Sequence, residues 1–246
     1  MYDHPKFLSS GDSCLIVEFS DRIEMNANTK LQSLRRRLAE IHVTGIRELV
    51  PTYRSLSIHY NPIKLPREKL EVIVNGVTAD FAEKSPPEKR VLVMPVAYGG
   101  EFGPDMANVA EHTGLGESEI VKRHTDRDYY CYMLGFTPGF SYLGGLDESL
   151  ATPRLKTPRT LIPAGSVGIA GNQTGAYSID SPGGWQLIGR TPLRLFDPRS
   201  GDHPTLIDAG EWIRFRGITK DEFEAIKRGV DDGTYIPERI AERGGE

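Results

Sequence analysis

Between Gly135 and Arg190 the chain carries 11 glycines and 5 prolines in 56 residues, and no other stretch limits the possible folds so strongly. The glycines alternate with Val, Ile, Leu, Tyr and Trp, apolar partners that a flexible Gly/Pro linker lacks, so the segment is ordered and shaped by its backbone. Short strands at close spacing, Val167–Ala170, Ala176–Ile179 and Gln186–Ile188, predict a β-barrel with tight corners. Val91–Tyr98 reads as a further strand. Two short helices follow, Asp105–Thr113 and Ser118–His124, with Gly114 as a terminator between them. Glu211–Phe215 is a strand after the Asp208-Ala209-Gly210 turn. Thr219 and Glu222 form a capping box that opens a last helix, which Gly229 is expected to end, and the tail beyond Pro237 is expected to fray.

The first third has a different texture. Leu15, Val17 and Phe19 recur at every second position, a strand buried on one face. Leu31, Leu34, Leu38 and Ile41 recur at helical spacing, with Arg35, Arg36 and Arg37 toward water. Ile46–Pro51 and the alternating Leu56, Ile58 and Tyr60 predict a hairpin turning at Thr52–Arg54, and Pro66 opens a second helix. The order β-α-β-β-α suggests a small sandwich with helices on one face of an antiparallel sheet. The fold class is therefore α+β. The expected divisions are a sandwich over residues 1–82, a polar, proline-containing linker over 83–90, a barrel over 91–218, and a helix with a charged tail over 219–246.

Composition closes several routes. A net charge of -4 offers no basic excess for nucleic acid and no polybasic block for an anionic membrane. The longest apolar run is far short of the ~20 residues that span a bilayer, and Met1–Ser13 does not read as a signal peptide, so a cytoplasmic location is expected. Cys14 and Cys131 lie in apolar strand-like stretches and read as buried free thiols rather than a disulfide. No Gly-Lys pair exists, hence no P-loop. No HExxH or CxxC occurs and the histidines are scattered, so no metal site is expected. Ala164 stands where a nucleophile elbow needs its first glycine, which argues against Ser166 as an esterase nucleophile. Cys131 is read as core and His124 as a capping or packed histidine.

Chemistry concentrates in PAGSVGIAGNQTGAYSIDSPGGWQLIGR, Pro163–Arg190. Glycines let backbone N–H groups approach a ligand or converge on an anion. Gly165, Ser166 and Gly168, and beyond them Ser181, Gly183 and Gly184, are the candidate substrate-binding positions. Arg190, Gln173 and Tyr177 are the candidate catalytic side chains, Arg190 foremost because its planar fork fits an oxyanion bidentately. The alternative is that the glycines only turn barrel corners and Arg190 pairs with a surface acid. A second stretch, Met133–Asp147, sets aromatics between glycines. Phe136, Pro138, Phe140 and Tyr142 are candidate partner-surface residues, unless the loop tucks onto its own barrel.

MLGFTPGFSYLGGLD, then TPRLKTPRTLIPAGSVGIAGNQTGAYSIDSPGGWQLIGRTPLRLFDP, resembles the KipI/PxpB family, whose members include the B component of bacterial ATP-dependent 5-oxoprolinase, also called allophanate hydrolase subunit 1. GDSCLIVEF, VPTYRSLSIHY and PVAYGGEFGPDMANVAEHTGL extend the resemblance to about residue 217, with the tail from Thr219 as an addition. It implies a small α/β domain plus a cyclophilin-like β-barrel, and kinship with the carboxyltransferase part of biotin-dependent urea carboxylase. It further implies a site shared with partners: a C-type carboxyltransferase component and an A-type component, using ATP to hydrolyse 5-oxo-L-proline to L-glutamate. The family also implies two other roles, inhibition of a sensor histidine kinase and allophanate or urea chemistry.

Overall fold

The computed structural model describes residues 1–79 and 89–242. Apart from Lys89 and Arg90, the expected linker lies outside the described residues. Contacts divide the chain into two compact units, Met1–Pro87 and Glu88–Glu246.

The first unit contains β1 (Lys6–Ser9), β2 (Cys14–Glu18), α1 (Met25–Glu40), β3 (Ile46–Pro51), β4 (Ser55–Tyr60) and α2 (Arg67–Ala79). Its antiparallel sheet has the order β1-β2-β4-β3. Leu15 and Val17 of β2 and Leu56 and Ile58 of β4 meet Leu31, Leu34 and Leu38 of α1 and Leu70 and Val74 of α2 in one core. The alternation read in the sequence is thus the inward face of the sheet. The buried Asn28 amide donates to the Thr52 and Tyr53 carbonyls at 2.9 Å each, so α1 itself holds the predicted hairpin turn. Strand β1 was not expected. It is an edge strand with only Phe7 against the core, too little burial to impose a period on its sequence.

The second unit contains β5 (Lys89–Tyr98), α3 (Met106–Thr113), α4 (Glu117–Thr125), β6 (Asp128–Leu134), β7 (Ser141–Gly144), β8 (Arg159–Ile162), β9 (Ser166–Ala170), β10 (Gln173–Ala176), β11 (Ser181–Gly183), β12 (Gln186–Arg190), β13 (Trp212–Ile218), α5 (Lys220–Asp231) and β14 (Arg239–Glu242). Strands β12-β9-β10-β7-β6-β13-β5 pair in that order, and β12 pairs back onto β5, which closes a barrel. β5 and β13 are parallel; β5 lies buried from Val91 to Ala97 because Leu92, Met94 and Val96 face the barrel interior while α5 packs against the strand.

Three local expectations shift. The strand expected at Ala176–Ile179 lies earlier, at Gln173–Ala176, because one of its interior residues is polar, Thr174, whose hydroxyl is satisfied inside the barrel. Helix α5 opens on the predicted Thr219–Glu222 capping box but runs through Gly229 to Asp231. Within the tail expected to fray, Arg239–Glu242 forms β14, antiparallel to the start of β5, so that edge is hydrogen-bonded rather than open to solvent; residues 243–246 lie outside the described residues.

His124, at the end of α4, lies fully buried among Tyr98, Tyr129 and Phe215, its ring centroid 4.5 Å from that of Phe215. The hydroxyl of Thr174 donates to the Gly168 carbonyl, so Nε2 of His124 is the donor in its 2.8 Å bond to Thr174. Nδ1 then accepts from Tyr98 at 2.8 Å. Burial lowers the imidazole from 6.5 to about 3. Below pH 6.5 the unfolded chain takes up a proton that the folded barrel refuses, so this stabilisation is complete above pH 6.5 and declines as the pH falls toward 3. The slope approaches about 1.4 kcal/mol per pH unit. Both tryptophans lie in the second unit, so urea unfolding followed by their fluorescence should show a midpoint that drops steeply from pH 6 to pH 4.5. His124→Gln should be less stable at pH 7 yet flatter over that window; an equally steep variant would contradict the assignment.

Candidate functional site: an arginine at the barrel seam

Arg190 ends β12, with its backbone paired to Ser166 of β9 on one side and Ala97 of β5 on the other. Its Nε donates to the Ala164 carbonyl at 2.9 Å, and no carboxylate pairs with the guanidinium among the described residues. The side chain lines a cavity of about 160 Å³, together with Ala164, Ser178, the segment Thr191–Arg194 and one face of α5. Among the described residues, no surface acid fills the partner role that the sequence left open.

The backbone around Arg190 is used differently from the expectation. Gly165 donates its N–H to the Tyr177 carbonyl at 2.7 Å, and the Ser166 N–H and hydroxyl both donate to the Pro163 carbonyl. Gly168 lies mid-strand between β10 and β12. These groups are therefore held within the barrel, and the convergent N–H cradle expected at Gly165–Gly168 does not form. Gly165 has a structural reason instead: its φ is +83°, and a Cβ there would run into the Thr191 carbonyl.

Gln173, Tyr177, Ser181, Gly183 and Gly184 do not line this cavity. Tyr177 is 1 % exposed and belongs to an aromatic cluster centred on Phe140, whose ring meets Phe136, Tyr142, Tyr177 and Trp185 edge-on at 5.1–5.6 Å. Burial pushes the phenol up to about 12, against a hydrogen bond with the Trp185 backbone and the charges of Arg154 and Arg159. It stays protonated and packs over Gly183 as part of this core. Gln173 opens β10 opposite Ala170. Gly184 accepts a bond from Leu155 through its carbonyl at 2.7 Å. Ser181 is buried, with no hydrogen-bond partner for its hydroxyl among the described residues.

Two arginines that the sequence reading passed over join this second cluster. The Arg154 guanidinium sits over the Trp185 ring, 5.9 Å from its centroid. Arg159 reaches Asp105 at 2.6 Å, and the other Asp105 oxygen accepts the Leu187 N–H at 2.7 Å. The only local signal was their place in the proline-spaced TPRLKTPR, which does not announce a buried acid some fifty residues away. On the partner-surface loop, Phe136 and Pro138 are exposed and Tyr142 is half-buried. Phe140 is 2 % exposed, so it is core and not a partner-surface residue. Phe136 is 62 % exposed and one of two non-glycine residues with positive φ among those described. A left-handed backbone at a bulky residue persists only where its surroundings impose it; here Ser178 bonds the Pro138 carbonyl and pins the turn.

A closed barrel in one unit and a sheet-and-helix sandwich in the other are the fold of a carboxyltransferase-type domain. The chain belongs to the family described as carboxyltransferase domain, subdomain C and D, which matches residues 5–207. It is 40 % identical over 227 residues to the B component of 5-oxoprolinase from Bacillus subtilis, covering 88 % of this chain and 94 % of that one. Among solved structures, TTHA0988 superposes with a TM-score of 0.75 at 32 % identity, covering 84 % of this chain but only 40 % of TTHA0988. The Kluyveromyces lactis urea amidolyase shares the fold, with a TM-score of 0.75 at 19 % identity over 97 % of this chain and 16 % of that one. None of the described helices is long and apolar enough to cross a membrane.

Gly165→Ala should cost about 2 kcal/mol or more and lower the melting temperature of the barrel by roughly 5 °C. Gly217→Ala, where a Cβ meets nothing closer than 3.9 Å, should be near neutral. Equal thermal unfolding of the two variants would remove the steric reason given for Gly165.

Proposed function

We propose that this chain is the B-type component of an ATP-dependent 5-oxoprolinase, a hydrolase complex that opens the lactam of 5-oxo-L-proline to L-glutamate with A- and C-type partners. The observation that carries this reading is the 40 % identity to the Bacillus subtilis B component along 94 % of that protein's length. In TTHA0988 the matched fold occupies 40 % of a longer chain, the arrangement expected of a domain that works beside others.

The chemistry asks for a cation. Amide resonance makes a lactam a poor electrophile. Phosphoryl transfer from ATP to its carbonyl oxygen, with release of ADP, gives an activated carbon; addition of water and cleavage of the C–N bond, the nitrogen leaving as an amine, give an acyl phosphate, which a second water hydrolyses to the carboxylate and phosphate. Negative charge accumulates on the reacting group throughout. A preorganised donor in a partly dehydrated site stabilises such charge far better than water does. Arg190, held by strand pairs on both sides and free of any carboxylate among the described residues, suits that role. The nucleotide is assigned to the complex and no nucleotide site to this chain. The partner-facing surface is assigned to Phe136 and Pro138, apolar, exposed and set on a pinned turn.

Reconstituted with its partner components, the wild type should release glutamate from 5-oxoproline in an ATP-dependent manner. Arg190→Ala should reduce turnover at least a hundredfold with unchanged melting; normal turnover would exclude Arg190 from the reaction. Phe136→Gly relieves the left-handed strain, so the barrel should melt at the same temperature or higher while co-elution with the C-type component weakens. Undiminished co-elution would move the partner surface elsewhere.

A further inference from the structure

Helix α5 begins beyond the residues matched by the family, 5–207, yet it builds one wall of the Arg190 cavity. Phe223 and Val230 present apolar surface there, and Lys227 and Asp231 present charge. The facing segment adds Leu193 and Arg194. Arg190 takes no part in the ion pairs around the cavity among the described residues. Arg194 shares Asp197 at 3.1 Å with Arg199, which holds the same carboxylate at 2.8 Å, and reaches Asp231 at 3.5 Å; Asp231 pairs with Lys227 at 2.9 Å. Arg190 has only the Ala164 carbonyl on its Nε. Its two terminal nitrogens keep the planar geometry that grips an oxyanion bidentately.

The restraint on Lys227 is weak. Its partner Asp231 lies four residues on along the same helix, and both side chains are about half exposed, at 48 % and 51 %. Such pairs contribute little. Asp231 also ends α5, where the helix dipole disfavours an acid. An incoming anion therefore replaces Asp231 on Lys227 at small cost. The apolar lining selects further, since a bare inorganic anion gains nothing from Leu193, Phe223 and Val230, whereas an acid with a small apolar body does.

We infer that the cavity between the Arg190–Arg194 segment and α5 binds a small organic carboxylate, with Arg190 and Lys227 as its two cations and Asp231 as an internal competitor. This deepens the function proposed above and rests on it for the identity of the acid, which would be 5-oxoproline or its product glutamate.

The test is calorimetric titration of the full chain, alone and in the reconstituted complex, with 5-oxoproline, L-glutamate and inorganic phosphate. At least one carboxylate should bind saturably, at least tenfold more tightly than phosphate. Arg190→Ala and Lys227→Ala should each weaken it about tenfold, and Asp231→Asn should tighten it several-fold. A gain of affinity cannot arise from misfolding, so the Asp231 variant protects the test against unstable proteins. Carboxylate binding unchanged by Lys227→Ala, phosphate preferred over both acids, or no binding to either preparation would each overturn the inference. If Lys227→Ala binds normally while the complex still turns over 5-oxoproline, the inference fails and the proposed function stands. Tight carboxylate binding by a complex without 5-oxoprolinase activity supports the site and defeats the function.

Discussion

The barrel depends on how β5 shares its two edges. One edge is taken along Val91–Ala97 by β13. The other is divided: β14 pairs with Lys89–Leu92, and β12 pairs with Ala97 and Tyr98. Closure therefore rests on a seam of two residue pairs, Gly189 with Tyr98 and Arg190 with Ala97. The chain just after β5 reinforces it, since the Gly99 N–H donates to the Ile188 carbonyl at 3.0 Å and the Asp105 N–H to the Leu187 carbonyl at 2.9 Å. A seam this short needs such clamps, because unpaired strand edges inside a core leave buried N–H and C=O groups without partners. The arginine that faces the cavity is part of the seam, so the site inherits its rigidity from ring closure.

Polar groups inside the barrel follow the same rule. His124 and Thr174 are both fully buried, yet with Tyr98 each finds a partner and the hydroxyl proton of Thr174 has a defined acceptor. The network ties α4 to β5 and β10, which apolar packing alone would hold less specifically. At the rim, Asp128 of β6 receives Arg214 of β13 and Lys89 of β5, each at 2.6 Å, which joins three neighbouring strands by charge. There two cations share one carboxylate; at the seam, Arg190 has no carboxylate among the described residues.

Much of the fold was legible in the amino-acid order. The two leucine stripes, the hairpin at Thr52–Arg54, the Thr219–Glu222 capping box and the strand Val91–Tyr98 are local patterns, and each corresponds to an observed element. What escaped reading was decided by distant neighbours. β1 and β14 are edge strands, each paired with a single neighbour, so nothing in their composition announced them. The displaced β10 escaped because hydrophobic alternation fails where a barrel interior is furnished with a hydrogen-bonded threonine. Similarly, Gly229 read as a helix end, yet the capping function falls to the residues after Asp231, and the bare α-carbon of Gly229 admits the returning chain at Tyr235.

The site divides along the same line. Amino-acid order alone determined that the chain holds an α+β unit and a glycine-shaped barrel and that its thiols are unpaired. Those conclusions follow from periodicity, backbone freedom and side-chain chemistry, which act over a few residues. Only tertiary structure decided that the amides of Gly165 and Ser166 bond within the barrel, that Tyr177 and Phe140 lie in an aromatic core, and that Lys227 and Arg190 line one cavity. A hydrogen bond or an ion pair is a fact about which groups meet, and ring closure brings together groups that the chain keeps far apart.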